Sequence, residues 1–406
     1  MKRRFVAAIG VAVAVMAVIA FLKLSPVPVA GQAQAATDQP GSAAKAAPKT
    51  AWGEPDLQGI WANEYATPLQ RPARYANKEF FTEEESAELD RQRAGLRTFS
   101  DRNAPRGTEQ DVAGAYNAVF QSIRPTGRRT SLIVDPPDGR IPPITPEVQK
   151  RRSELREFQL ALMQAVETCK TTQDASCAGV KHGPPSPRLA ERAAPHYVTA
   201  FAFLNRADGP EDFGLGERCM GGSLPDFGGF RRIMQSRGSV SIFYDVGQGQ
   251  GWSRTILMNG SPHLPSHVRQ WWGDSRGRWE GNTLVVDVSN FSAKTDFQGA
   301  RENLHLVERW TRIDEKTLEY VLTIEDPTTW TKPWTVKLEM GRQPEQANRI
   351  YYEPRCHEGN AGMVGLLAGA REEDKAFAAG RGPHPATKCR VICGYGLTEE
   401  DGDPLR

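Results

Sequence analysis

The chain has 406 residues, 39% of them hydrophobic and 25% charged, an ordinary globular composition with enough apolar material for one large domain or two. Its 51 Lys and Arg against 49 Asp and Glu leave a formal charge of only +2. That balance lacks the basic footprint of a nucleic-acid binder, so neither nucleic acid nor an acidic polymer is expected as a partner.

In chain order, residues 1–35 read as an export signal. "MKRRFVAAIGVAVAVMAVIAF" opens on basic residues and runs into an apolar stretch, and Ala33-Gln34-Ala35 supplies a small-x-small cleavage site. The mature protein then begins near Ala36, in the periplasm, with no stable membrane insertion. The alternative is an uncleaved anchor, because Phe5 to Leu22 is about long enough to span a bilayer. Residues 36–51, rich in Ala, Pro, Gly and Gln, read as a flexible leader.

Residues 52–229 read as an irregular, proline-rich region carrying two helices that pack on a β domain C-terminal to it. "TEEESAELDRQRAGL" opens with Thr82 and Glu85 at capping-box spacing, and "TPEVQKRRSELREFQLALMQAVETC" opens with Thr145 as cap and Pro146 in the first turn. "VDPPDGRIPP" predicts a proline-rigid turn with Asp138-Gly139 at its left-handed positions. The glycine-rich "LGERCMGGSLPDFGGF" lacks strand-to-helix context and reads as a loop crossing the β domain.

Residues 230–360 read as strands. Val240, Ile242, Tyr244 and Val246 alternate with polar and aromatic neighbours, as do Leu318, Tyr320, Leu322 and Ile324, and Trp334, Val336, Leu338 and Met340. "WEGNTLVV" predicts a hairpin turning at Gly281-Asn282, and "RIDEKTLEY" another. Eight to ten consecutive strands with short connections form an antiparallel meander, and closure into a lipocalin-like barrel removes its edges; a two-sheet sandwich is the alternative. Residues 361–406 read as a C-terminal tail.

Export implies an oxidising compartment, so six cysteines imply three bridges, although six allow 15 pairings. Proximity in sequence suggests Cys169 with Cys177 and Cys389 with Cys393, which leaves Cys219 with Cys356. A zinc site at "CRVIC" has only His384 nearby and is not expected.

The candidate site starts from "NLHLVERW". On a strand, Glu308 shares a face with Leu304, Leu306 and Trp310, while His305 points the other way. An unpaired buried carboxylate is costly, so Glu308 must be paired, hydrogen-bonded or protonated. In one reading it pairs with an arginine such as Arg269 and sets strand register. In the sharper reading His263, His305, His357, Glu308 and Glu358 gather around a cavity at the barrel mouth, as acids and bases or as metal ligands. There His305, Glu308, His357 and Glu358 are the catalytic candidates, and Arg269, His263, Trp271 and Trp310 the substrate-binding ones. No metal and no other cofactor is expected: His305 and Glu308, three apart, go to opposite faces and do not share one ion. Nucleotide-binding loops, a nucleophile elbow and the H-E-x-x-H motif are absent.

"PDLQGIW", "RTSLIVDPPDGRIPP", "GERC", "HLPSHVRQWWGDSRGRWEGNTLVV", "NLHLVERW", "EDPTTWTKPW" and "CHEGN", in that order between Trp52 and Arg371, resemble a family of exported hypothetical proteins of acidobacteria and proteobacteria. The resemblance implies export and a shared β-rich body, and it carries no catalytic residues. Together these observations lead to the expectation of a periplasmic, cofactor-independent enzyme of lyase, isomerase or hydrolase type. It would act by His/Glu acid-base chemistry on a small, partly apolar or aromatic molecule in the barrel cavity. A periplasmic binding protein for an apolar ligand and an envelope scaffold or assembly partner are the alternatives.

Overall fold

A computed structural model describes residues 48–96, 124–170, 177, 179–191, 205–215, 218–220, 222, 224–247, 250–344 and 361–388. Its sheet has ten strands: β1 Gly59–Asn63, β2 Ile133–Asp135, β3 Phe230–Ser236, β4 Ser239–Gly247, β5 Gln250–Leu257, β6 Asp274–Glu280, β7 Thr283–Ser289, β8 His305–Arg312, β9 Thr317–Glu325 and β10 Trp334–Gln343. Nine of these, all but β2, follow one another around the sheet, and β1 returns to β10. The fold is therefore mainly β, a closed lipocalin-like barrel. Neighbours pair antiparallel except β5 and β6, which meet in parallel through the single pair Leu257 and Arg276. The chain between those two strands is the long loop 258–273.

The period-two pattern is what builds the wall. Residues of β8 and β9 alternate strictly between half-buried and buried, and the buried set joins one apolar cluster with Trp61, Ile242, Trp252, Val286, Trp334 and Leu338. Each large side chain removed from water contributes about 1.5 to 3 kcal/mol. That contribution, repeated around nine strands, makes the inner face the core of the molecule.

Two strands come from the stretch whose sequence reads as irregular. β1 is buried at four of its five positions, because Trp61 faces the barrel while Ile60 packs outside against Phe243 and Phe230. A strand dry on both sides has no alternation to detect. β10 accommodates both newcomers on one edge: β1 pairs with residues 340–343 and β2 with Thr335 and Val336.

The two expected helices are present as α1 Glu83–Leu96 and α2 Pro146–Met163. At α1 the box is reciprocal, the Glu85 N–H donating to Thr82 Oγ1 at 3.2 Å and the Thr82 N–H to Glu85 Oε2 at 2.8 Å. α2 stops at Met163, short of its expected end, and Cys169 lies in a separate short turn joined to Cys177 by a disulfide. Cys219 is also disulfide-bonded; Cys356, Cys389 and Cys393 lie outside the described residues. The expected tail contains a third helix, α3 Ala361–Ala378, whose Met363, Leu367 and Ala370 pack on Ala207 and Phe213. In the "DPPDGR" turn only Gly139 is left-handed, at φ +70°; Asp138 instead accepts from the Arg140 N–H at 3.0 Å. No helix among the described residues is long and apolar enough to cross a membrane.

The core leaves little slack at Gly277 in β6, which faces inward opposite Val286. A Cβ there would lie 2.7 Å from Ile256 Cγ2 and closer still to Met258 Sδ. Gly277→Ala is therefore expected to destabilise the fold by about 1 to 3 kcal/mol through overpacking, measured as a lower urea midpoint.

Candidate functional site

Two groups of polar side chains lie on opposite faces of the same strands. Glu308, from β8, is completely buried. Its partner is Arg254 of β5, whose Nη2 donates to Glu308 Oε2 at 2.5 Å. Arg254 is itself in phase with Trp252 and Ile256, so it repeats on β5 the signal that Glu308 gives on β8. Tyr320 of β9 donates its hydroxyl to Glu308 Oε1 at 2.9 Å, and Arg254 Nη1 donates to Ser275 Oγ at 3.3 Å. Burial alone would lower the Arg254 pKa, and the adjacent Glu308 carboxylate, with the Tyr244 and Tyr320 phenols, more than reverses this, so the guanidinium stays charged. Burial, together with the same carboxylate, raises Tyr320 well above the ordinary phenol value.

Around this pair the inner face is aromatic. Tyr244 stacks on Trp252 with ring centroids 4.1 Å apart, and Trp252 on Trp272 at 4.6 Å. The guanidinium carbons of Arg231 and Arg254 lie 5.5 and 5.6 Å from the Tyr244 ring centroid, at cation–π distance. Trp310 packs on Tyr320 at 4.1 Å. Five buried donors of this group, Tyr244 Oη, Trp252 Nε1, Trp310 Nε1, Arg231 Nε and Arg254 Nε, have no hydrogen-bond partner among the described residues.

His305 is on the outer face, as strand alternation demands. There it lies between two carboxylates, Nδ1 3.0 Å from Glu325 Oε1 and Nε2 3.1 Å from both oxygens of Asp287. His263, on the loop 258–273, reaches the same carboxylate from the other side, with Nε2 2.8 Å from Asp287 Oδ1 and Nδ1 2.9 Å from Asp274 Oδ2. Arg276 Nη2 completes the row 3.0 Å from Asp274 Oδ2. The Asp287 carboxylate, hydrogen-bonded to Nε2, pushes the His305 pKa up to about 9, and His305 in return lowers that of Asp287.

The structure thus brings His263 and His305 together and separates both from Glu308 and Trp310, which share the interior. Arg269 is exposed and donates to the Glu302 carbonyl at 2.7 Å, so it is not the partner of Glu308. Trp271 is half-buried in the same loop. His357 and Glu358 lie outside the described residues. Sequence reasoning missed Arg254, Tyr244 and Asp287. A charged residue in phase with apolar ones would have found Arg254, whereas Asp287 becomes a meeting point only when β7 is set between β6 and β8.

No family model matches the chain, and no curated protein does. Among solved structures, a mutant of the fluorescent protein UnaG is similar over 28% of this chain and 71% of its own, at 14% identity and a TM-score of 0.19. At that level the likeness does not bear on what the barrel holds.

Glu308→Gln leaves Arg254 buried without a counter-charge, and loss of one partner of such a pair typically costs about 3 to 5 kcal/mol. The variant should unfold at correspondingly lower denaturant. The double variant Arg254→Met, Glu308→Gln should recover part of that loss, and the coupling between the two changes measures the pair.

Proposed function

We propose that the protein is an exported binding protein whose barrel interior holds a small, partly apolar or aromatic molecule bearing oxygen acceptors. The observation that carries this reading is the set of five unpartnered buried donors. A buried donor left unpaired costs about 1 to 3 kcal/mol, so each of the five calls for an acceptor that the described residues do not supply. A ligand offering carbonyl or carboxylate oxygens relieves that cost, while the stacked Tyr244, Trp252 and Trp272 supply flat apolar surface for its body. The Nε–H groups of Arg231 and Arg254, whose charges Asp226 and Glu308 already meet, favour oxygen acceptors on the ligand. The basic, apolar N-terminus and the Cys169–Cys177 bridge support export to an oxidising compartment.

Binding has more support than proton transfer because no described histidine reaches Glu308, whose carboxylate is already occupied by Arg254 and Tyr320. In this reading Glu308 holds Arg254 in place, and Arg254 and Tyr244 present the donors.

Tryptophan emission reports on binding directly, because Trp252 and Trp310 line the interior. Titration with mono- and bicyclic aromatic carboxylic acids should change that emission saturably, and the parent hydrocarbons should bind more weakly. Tyr244→Phe keeps the stack but removes one donor, and should weaken acid binding about tenfold, equivalent to roughly 1.4 kcal/mol. Acids that leave the emission and the NMR spectrum of the folded protein unchanged would remove this reading.

A further inference from the structure

The interior holds a second group of unpaired donors. Trp330 and Trp334 are 2% and 0% exposed and belong to the same apolar cluster as Tyr244, Trp252 and Trp310. Neither indole N–H has a hydrogen-bond partner among the described residues. The two rings meet edge to face, with centroids 5.5 Å apart and planes at 82°. In that arrangement at most one N–H points into the other ring, and such a contact is weak. At least one buried donor is left over, with the desolvation cost of an unmade hydrogen bond.

Strand order sets this group across the barrel from the first. Between β10, which carries Trp334, and β5, which carries Trp252 and Arg254, lie three strands one way round, β1, β3 and β4, and four the other, β6 to β9. Trp334 and Arg254 therefore start from opposite walls, and both side chains are buried inside. A molecule held at one wall by Arg254 and Tyr244 presents its opposite edge to Trp334.

The far wall is built, and it is uncharged where the indoles lie. Phe297 stacks on Trp334 with planes at 15° and centroids 6.1 Å apart, and it meets Trp330 edge-on at 6.5 Å. Helix α2 fixes the loop that carries Phe297: Arg151 and Arg152 donate to the Gly299 and Gln298 carbonyls, each at 2.5 Å. The cap of the same helix fixes the loop that carries Trp330, with Thr145 Oγ1 donating to the Thr328 carbonyl at 2.8 Å. Asp326, whose carbonyl accepts from the Trp330 backbone N–H at 2.9 Å, is 3% exposed, and its carboxylate accepts from Thr328 and Thr329. An anion here would be desolvated beside that carboxylate with only an indole dipole to meet it, which is costly. A neutral carbonyl oxygen accepts from an indole N–H without that cost.

We propose that the ligand of the interior carries a second acceptor, an uncharged carbonyl such as a ketone or amide, on the edge opposite the one that Arg254 and Tyr244 hold, and that Trp330 and Trp334 select for it. This inference rests on the interior-binding reading and narrows it to flat molecules with oxygen acceptors at both ends.

The test uses the full chain and two acids of matched shape, para-acetylbenzoic acid and para-isopropylbenzoic acid, together with the corresponding biphenyl pair for a longer span, with affinities measured by calorimetry. In one of the two pairs the acetyl acid is expected to bind about three- to tenfold more tightly, the worth of one added hydrogen bond. In Trp330→Phe or Trp334→Phe that ratio should fall to near one, whereas in Tyr244→Phe both acids should weaken alike and the ratio persist. An infrared measurement on the wild type serves where a tryptophan variant does not fold. The ketone stretch of the bound acetyl acid should stay at or below its position in water, because an indole N–H replaces the water donors. A stretch that rises on binding reports surroundings without a donor and would overturn the inference. So would equal affinities within both pairs, or a preference that survives both tryptophan variants, and these outcomes leave the interior reading standing. Binding of none of the acids removes that reading and this inference with it.

Discussion

The buried pair of Arg254 and Glu308 is the constraint on which both polar groups depend. Strand side chains alternate, so a slip of one residue between β7 and β8 would turn Glu308 to solvent and His305 into the core. Such a slip would leave Arg254 charged and alone among tryptophans, at a cost of several kcal/mol. The register that keeps Glu308 on Arg254 is the register that sets His305 beside Asp287. An interior interaction thereby fixes the geometry of an exterior one.

The wall between them separates two kinds of electrostatics. Inside, the charges are few, buried and each met by one counter-charge, and the surplus is in donors: indole, phenol and guanidinium N–H and O–H groups. Outside, Asp274, His263, Asp287, His305 and Glu325 form a continuous alternation of acid and base across β6, β7, β8, β9 and the loop 258–273. The first arrangement leaves donors without acceptors, and the second sets each carboxylate beside a basic side chain. The loop carrying His263 is tied to both faces. Trp272, near its end, stacks on Trp252 and donates to the Gly222 carbonyl at 2.8 Å, while Asn290 donates to the Leu264 carbonyl at 2.7 Å.

Barrel closure depends on segments distant in sequence. β5 and β6 share one residue pair, so little backbone pairing spans that seam, and the continuous ladder runs the other way round, from β6 to β10 and on through β1, β3 and β4 to β5. β1 reaches β10 from about 280 residues upstream, a separation that incurs only a slowly growing loop-closure cost, and Trp61 secures it by filling the interior while its indole N–H donates to the Leu57 carbonyl at 2.9 Å.

Local patterns along the chain account for the half-wet strands, the hairpin turns, the capped starts of α1 and α2, and the opposition of His305 to Glu308. All of these follow from local periodicity or from contacts a few residues apart. The sequence also marked Glu308 as a buried carboxylate in need of a partner, because one charged residue in phase with three apolar ones is visible in any alternating strand. That the partner is Arg254, that "GIWAN" closes the barrel, that the expected tail holds a helix, and that Asp287 lies between two histidines emerges from the folded barrel alone. Each of these depends on which strands become neighbours. That choice is made by packing across the whole barrel and leaves no periodic trace in any one strand.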